Sequence, residues 1–142
     1  MSAMDLLVYR DHNGWRARFG ASRCRRVRAD RLEAPPGGLP AQALTPHDGW
    51  CDDPADPAYN RPIIRPYPAR HEQLWRDDWI YDVIAVLGYN DDPPRPGAGS
   101  AIFLHVARAG FEPTEGCVAL ALPDLLRVLR EASPESRVCV EE

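Results

Sequence analysis

The stretch that decides the fold runs from residue 99 to residue 120 and reads GSAIFLHVARAGFEPTEGCVAL. Its first part predicts a buried strand over residues 100–106, in which alternate side chains face opposite ways. One face carries Ile102, Leu104 and Val106, and the other carries Ala101, Phe103 and His105. Its second part leads to Cys117, which follows Thr-Glu-Gly and precedes small apolar residues. Cys117 could therefore be part of the core, a metal ligand or a nucleophile.

The sequence on both sides of this stretch predicts further buried elements. Residues 79–88, WIYDVIAVLG, read as a second buried strand. Downstream, a single helix is indicated by four leucines at the spacing i, i+3, i+4, i+7, with Pro123 in its first turn: Leu122, Leu125, Leu126 and Leu129. Together they predict a mainly β domain of two packed sheets, with one helix from the C-terminal half of the chain.

The N-terminal half predicts strands and a long loop. Residues 5–10 and 15–19 flank Asn13-Gly14, which is a strong local signal for a β-hairpin. Residues 34–70 are rich in proline and predict a long ordered loop with short extended pieces. The five arginines between residues 23 and 31 leave two readings open, a site for an anionic ligand or a solvated face.

Length and composition limit the classes of function. The 142 residues predict one domain spanning residues 1–142. The net charge of −4 argues against nucleic-acid binding, and no stretch is long enough to span a bilayer. The apolar run over residues 6–9 is too short for the core of an export signal. No Cys-x-x-Cys pair is present, which disfavours structural zinc, whereas two disulfides remain open.

The chemistry of Cys117 depends on a proton acceptor within reach, because a cysteine attacks as its thiolate. His105 lies twelve positions earlier, and the connection contains Gly110, Pro113 and Gly116, which allow it to loop back. The glycine before the cysteine lets the amides of residues 116 and 117 turn toward a substrate carbonyl, as an oxyanion hole requires. From these residues alone, packing and catalysis both remain open.

The run over residues 99–120, together with VLGYNDDPPRPG over residues 86–97, resembles the catalytic core of the L,D-transpeptidase (YkuD) family. That family's signature is a strand histidine, a variable loop and then Ser/Thr-x-Gly-Cys. The segment DGWCDDPADPAYNRP over residues 48–62 is similar to a compact branch in Alpha- and Betaproteobacteria, in which a proline-rich segment narrows the active site. The resemblance covers roughly residues 48–140 and implies a YkuD-like β-sandwich.

The resemblance implies a role for each residue that matches the signature. Cys117 matches the nucleophile, His105 the general base, Gly116 and Cys117 the oxyanion-hole amides, and Thr114 the Ser/Thr of the signature. The base would be oriented by a backbone carbonyl such as that of Val106. The family uses no cofactor and no metal.

The resemblance also implies the reaction, the partner and the compartment. The partner would be the peptidoglycan stem peptide, cut after meso-diaminopimelate and joined to an amine on a neighbouring stem. The compact branch is associated with 1,3-type links and not with the usual 3,3-type. A role in cell-wall synthesis and cell shape, a location in the periplasm or cell envelope, and acylation by carbapenems follow as expectations. If water resolves the thioester, the same site is an L,D-carboxypeptidase or endopeptidase, and a non-catalytic cell-wall binding relic of the fold is the remaining alternative.

Some residues around the core are weaker candidates for lining the substrate cleft. These are Thr114, Glu115, Tyr89, Asn90, Trp50 and Tyr59. A strand-end cap is the competing role for Tyr89 and Asn90, and anchoring of the proline-rich loop is the competing role for Trp50 and Tyr59. Cys51 is interpreted as a bystander.

Three departures from the family pattern stand out. Glu115 replaces a common histidine, and Ala119 replaces a polar residue two places after the cysteine. A Gly-Asp…Thr-Pro segment expected within residues 20–40 is missing. The gap predicts a sheet edge left open beside the cleft, and with it either self-association through that edge or a shallower, more open site with weak transpeptidation.

Overall fold

A computed structural model describes residues 5–9, 17–33, 37–111, 117–133 and 136–141 of the chain. The described part is mainly β, with two sheets and one α-helix. This confirms the predicted fold class at that level. The predictions for Asn13-Gly14, Thr114, Glu115 and Gly116 fall outside the described residues.

The larger sheet contains seven strands, which come from both ends of the chain. They are β1 (Asp5–Tyr9), β2 (Ala17–Val27), β3 (Ala41–Ala43), β7 (Val83–Gly88), β8 (Phe103–Val106), β9 (Val118–Leu120) and β10 (Arg137–Glu141). Their order is β1-β10-β2-β7-β8-β9, with β3 beside β2. Because β8 pairs in parallel with β9, His105 lies opposite Ala119, two residues beyond Cys117.

The smaller sheet takes two strands from the segment that the sequence predicts as a proline-rich loop and a third from directly after it. Strands β4 (Asp48–Cys51), β5 (Pro62–Ile64) and β6 (His71–Gln73) pair in the order β5-β4-β6. The predicted extended pieces are therefore present, and they pair into a sheet of their own.

Two cores flank the larger sheet, and β8 contributes to both. Ile102, Leu104 and Val106 face a cluster that includes Leu125 and Leu129 of helix α1 (Leu122–Glu131). Ala101 and Phe103 face the second cluster, which includes Trp50 and Leu74 from the region of the smaller sheet. The predicted division of this strand into two faces is confirmed, and the second cluster packs the two sheets together.

The predicted N-terminal hairpin is wrong as a pairing, although both of its strands exist. Strand β10 lies between β1 and β2, parallel to β1 and antiparallel to β2. An Asn-Gly signal reports only on local turn geometry, and it does not determine which strand becomes a neighbour in the sheet. Insertion of β10 gives it a hydrogen-bonded partner on both sides.

Three arginines of β2 and the following turn are buried, whereas Arg31 is exposed. Arg25, Arg26 and Arg28 are buried, with 5%, 9% and 5% of their surface exposed. Arg26 pairs with Asp48 at 3.2 Å, and the Arg28 guanidinium lies 3.4 Å from the centre of the Trp75 ring. The reading as a solvated face is therefore wrong for the three buried arginines, of which Arg26 contacts the start of β4 and Arg28 contacts the segment after β6.

The region in which a segment was expected to be missing forms the long interior strand β2. It pairs with β7 over residues 20–27, and on its other side with β10 over residues 17–19 and with β3 over residues 25–27. In the described part of the larger sheet, the strands with a partner on one side only are β1, β3 and β9. β2 is therefore not an edge strand, whereas β9, which directly follows Cys117, is one. Self-association through an edge beside the cleft stays a prediction.

Candidate active site

A cavity of about 330 Å³ contains both Cys117 and His105 in its lining. The two side chains reach it from neighbouring strands, because β8 carries His105 and Cys117 immediately precedes β9. The remaining lining residues include Ile80, Tyr81, Ser100, Ala101 and four charged residues, Asp52, Glu72, Arg76 and Arg108. The nucleophile and the base predicted from the sequence therefore share one cavity.

The thiol of Cys117 is half-buried and contacts the backbone at the start of β8. Its Sγ donates a hydrogen bond to the carbonyl of Ala101 at 3.1 Å and lies 3.4 Å from the amide nitrogen of Phe103, which donates to it. These contacts fix the sulfur beside the strand that carries His105 while leaving part of it open to the cavity.

His105 is buried, with 3% of its surface exposed, and its ring is held in one orientation. Its Nδ1 lies 2.8 Å from the carbonyl oxygen of Val106, so Nδ1–H donates and Nε2 is left as the acceptor. The predicted contact with Val106 is therefore present. Burial lowers the pKa of His105, and the charges of Arg108 and Arg76 lower it further. The imidazole is neutral near pH 7 and can accept a proton.

The lowered pKa of His105 predicts that folding stability falls as the solution is acidified. Between its ordinary pKa of 6.5 and the lower folded pKa, the unfolded chain binds a proton that the folded chain does not. Stability from this group is full above pH 6.5 and is lost as the pH falls through that window, by at most about 1.4 kcal/mol per pH unit. Urea titrations at several pH values measure the slope.

The matched variants for this measurement are His105→Gln and His47→Gln. His105→Gln should flatten the slope, and His47→Gln, which replaces an exposed histidine, is the matched control. An unchanged slope in His105→Gln would contradict the assignment.

A buried tyrosine connects the base to the charged wall of the cavity. Tyr81 lies edge-on to His105, with ring centres 5.5 Å apart, and its hydroxyl donates to Glu72 of β6. Burial, and then the negative charge of Glu72, raise the pKa of Tyr81. Tyr81 thus remains a donor and holds Glu72 against the cavity.

The cavity-lining Arg76 is paired with a carboxylate. It donates hydrogen bonds from Nε and Nη2 to the two carboxylate oxygens of Asp78, at 2.8 and 2.7 Å.

Asn60 links the proline-rich segment to the residues that contact Cys117. It is 3% exposed, and its Oδ1 accepts from Trp50 Nε1 at 2.9 Å and from the amide of Ala101 at 3.3 Å. Its Nδ2 donates to the carbonyls of Tyr89 and Asn90. Ala101 has a φ of +57°, an unfavourable backbone conformation for a non-glycine residue that its surroundings must maintain. Asn60 therefore helps to place the carbonyl that accepts from the thiol.

Four of the weaker candidate substrate residues make contacts within the protein. Trp50 is 7% exposed and packs against Phe103, and Tyr59 is 6% exposed and accepts from the amide of Gly99. Tyr89 donates to the carbonyl of Ala98, and Asn90 holds the loop through Arg95 and Gly99. None of the four candidates lines the cavity of Cys117. Their contacts fit the competing roles as anchors and caps, and a place in the substrate cleft stays a prediction for all four.

The sequence reading missed the charged lining of the cavity. Asp52, Glu72, Arg76 and Arg108 come from three regions of the chain, and only Glu72 and Arg76 lie close together in the sequence. Only Arg108 had a signal nearby, because it follows His105 by three residues.

Cys51 and Cys117 should differ strongly in reaction with a thiol reagent. Cys51 has 0% exposed surface, and burial raises its pKa, as does the neighbouring Asp56. Cys117 is half-buried at a cavity. Iodoacetamide at neutral pH, followed by peptide mass mapping, should therefore label Cys117 at least about tenfold faster. Equal rates for the two thiols would contradict this geometry.

No protein-family model, curated protein or solved structure matches the chain. Within the described ranges, no helix is long and apolar enough to cross a membrane. The same part of the chain contains no group of three or more His, Cys, Asp or Glu side chains placed to hold a metal ion. Function is therefore inferred from the cavity and from the sequence signature.

Proposed function

We propose that the protein is a peptidoglycan L,D-transpeptidase that works through a cysteine acyl-enzyme and has a YkuD-like β-sandwich fold. The observation that carries the proposal is the shared cavity, in which Cys117 is half-buried and a neutral, oriented His105 forms part of the same wall. The strand histidine and the Thr-Glu-Gly-Cys run that resembles the family signature supply these two residues.

The first half of the reaction forms a thioester on the enzyme. His105 Nε2 takes the proton of the Cys117 thiol as the sulfur attacks the donor carbonyl, and the carbonyl π electrons move to oxygen. Collapse of this tetrahedral intermediate breaks the amide C–N bond, and His105 returns the proton to the leaving amine. Amides at residues 116 and 117 are the proposed donors to the oxyanion.

The second half of the reaction transfers the acyl group. The acceptor amine attacks the thioester, the C–S bond breaks, and the new amide leaves Cys117 as the thiol, with His105 again carrying the proton between them. Water in place of the amine would give the carboxypeptidase or endopeptidase outcome from the same intermediate.

Incubation with isolated muropeptides and mass analysis of the products tests this proposal. A transpeptidase gives new cross-linked dimers, whose fragmentation distinguishes 1,3-type from 3,3-type links. Shortened monomers alone would identify a hydrolase. Unchanged muropeptides would contradict the proposed activity, and a non-catalytic cell-wall binding relic of the fold would be the remaining alternative.

A further inference from the structure

We infer that Arg108 is a substrate-binding residue that recognises a carboxylate of the ligand beside the bond attacked by Cys117. This inference rests on the proposed function for the identity of the ligand. The residues that carry it are the four charged side chains in the cavity lining: Asp52, Glu72, Arg76 and Arg108.

Three of these four charges already have partners within the protein. Asp52 pairs with Arg70, whose Nε lies 3.2 Å from its Oδ1. Glu72 accepts from the hydroxyl of Tyr81. Arg76 is engaged by the two oxygens of Asp78. These contacts shape the wall and occupy its charges.

Arg108 differs from the other three in its surroundings. It is exposed, and it forms no ion pair with any side chain in the described ranges. It follows His105 by three residues and lies on the same cavity, and its charge helps to lower the pKa of that histidine. Arg108 also lines an adjoining groove of about 410 Å³ with Trp79 and Leu122, so it stands where the cavity meets a second surface.

A planar guanidinium in this position fits a carboxylate better than any other group of a peptide ligand, because two parallel N–H donors match its two oxygens. Two further arginines, Arg65 and Arg95, do not line the cavity. Arg65 donates to Nε2 of His71 at 3.1 Å and is used there. Arg108 is thus the arginine available at the reacting centre.

The test measures the rate of Cys117 acylation with a synthetic stem peptide, L-alanyl-γ-D-glutamyl-meso-diaminopimelyl-D-alanine. In each of three analogues, a different one of the three free carboxylates of this peptide is replaced by a carboxamide. Arg108→Gln should lower kcat/KM for acylation by the parent peptide about tenfold or more, mainly through KM. The analogue lacking the recognised carboxylate should be equally poor with the wild-type protein, and Arg108→Gln should not reduce its rate further.

Two variants separate recognition from a structural effect. Arg108→Lys should recover part of the lost rate, since it keeps the charge but not the planar pair of donors. Arg95→Gln removes one positive charge outside the cavity and should act like the wild type. If Arg108→Gln lowers the rate equally for the parent and for all three analogues, or lowers none, the inference is overturned.

Binding of the same peptides to Cys117→Ala, measured by calorimetry, distinguishes this inference from the proposed function. If the wild-type protein is never acylated but the peptide binds in a way that requires Arg108, transpeptidation is overturned and the carboxylate site is kept. Acylation that is indifferent to Arg108 would keep transpeptidation and overturn the site. Absence of both acylation and binding would overturn both.

Discussion

Replacing Cys117 with alanine is expected to abolish cross-linking and acyl-enzyme formation, with a loss of roughly 10⁴-fold or more. The thiol supplies the atom that bonds to the donor carbonyl, and alanine has no nucleophile to replace it. The fold should persist, because Cys117 is half-buried and its Sγ contacts the backbone of Ala101 and Phe103. The expected cost is about 1 kcal/mol in the free energy of unfolding.

The matched control is Cys51→Ala. Cys51 is fully buried, its Sγ lies 3.7 Å from Asp56, and it does not line the cavity. Its replacement should leave the acylation rate unchanged at a modest cost in stability. The assignment of Cys117 as the nucleophile would be contradicted by turnover in Cys117→Ala, or by a Cys51→Ala variant that is folded but inactive.

The second large effect is expected for His105→Gln, which should slow acylation by about 10²–10⁴-fold. Glutamine is similar in size and polar, but it cannot take the thiol proton. The acylation rate is measured by quenching the reaction at a series of times and analysing the intact protein by mass spectrometry. Unfolding curves check that the variant is folded.

His71→Gln is the control for a histidine outside the cavity. Its ring contacts Ala69 and Arg65 in the region of the smaller sheet, so its loss should affect stability more than acylation. A wild-type acylation rate in folded His105→Gln would show that the imidazole is not the base.

Local sequence patterns predicted the elements around the site well. Alternation along residues 100–106 gives the two faces of β8, because successive side chains in a strand point to opposite sides. Leu125 and Leu129 are buried as the helical spacing predicts. The spacing of Cys117 and His105, with flexible residues between them, correctly anticipated that they share a cavity.

Contacts between distant segments could not be predicted in the same way. Burial of Arg26 depends on Asp48, and Glu72 reaches the cavity through its bond with Tyr81. Insertion of β10 between β1 and β2 depends on sheet order, which the hairpin signal at Asn13-Gly14 does not contain. Periodicity tells which face of an element is buried, whereas strand order and charge pairing are decided by tertiary contacts.

The measurement that tests the central claim most directly is the mass of the protein during incubation with the stem tetrapeptide. The account predicts an added mass equal to the donor acyl group, located on Cys117 by peptide mapping, which disappears when acceptor peptide is added and cross-linked product forms. Cross-linked product without a covalent adduct on Cys117, or an adduct located on another residue, would contradict it.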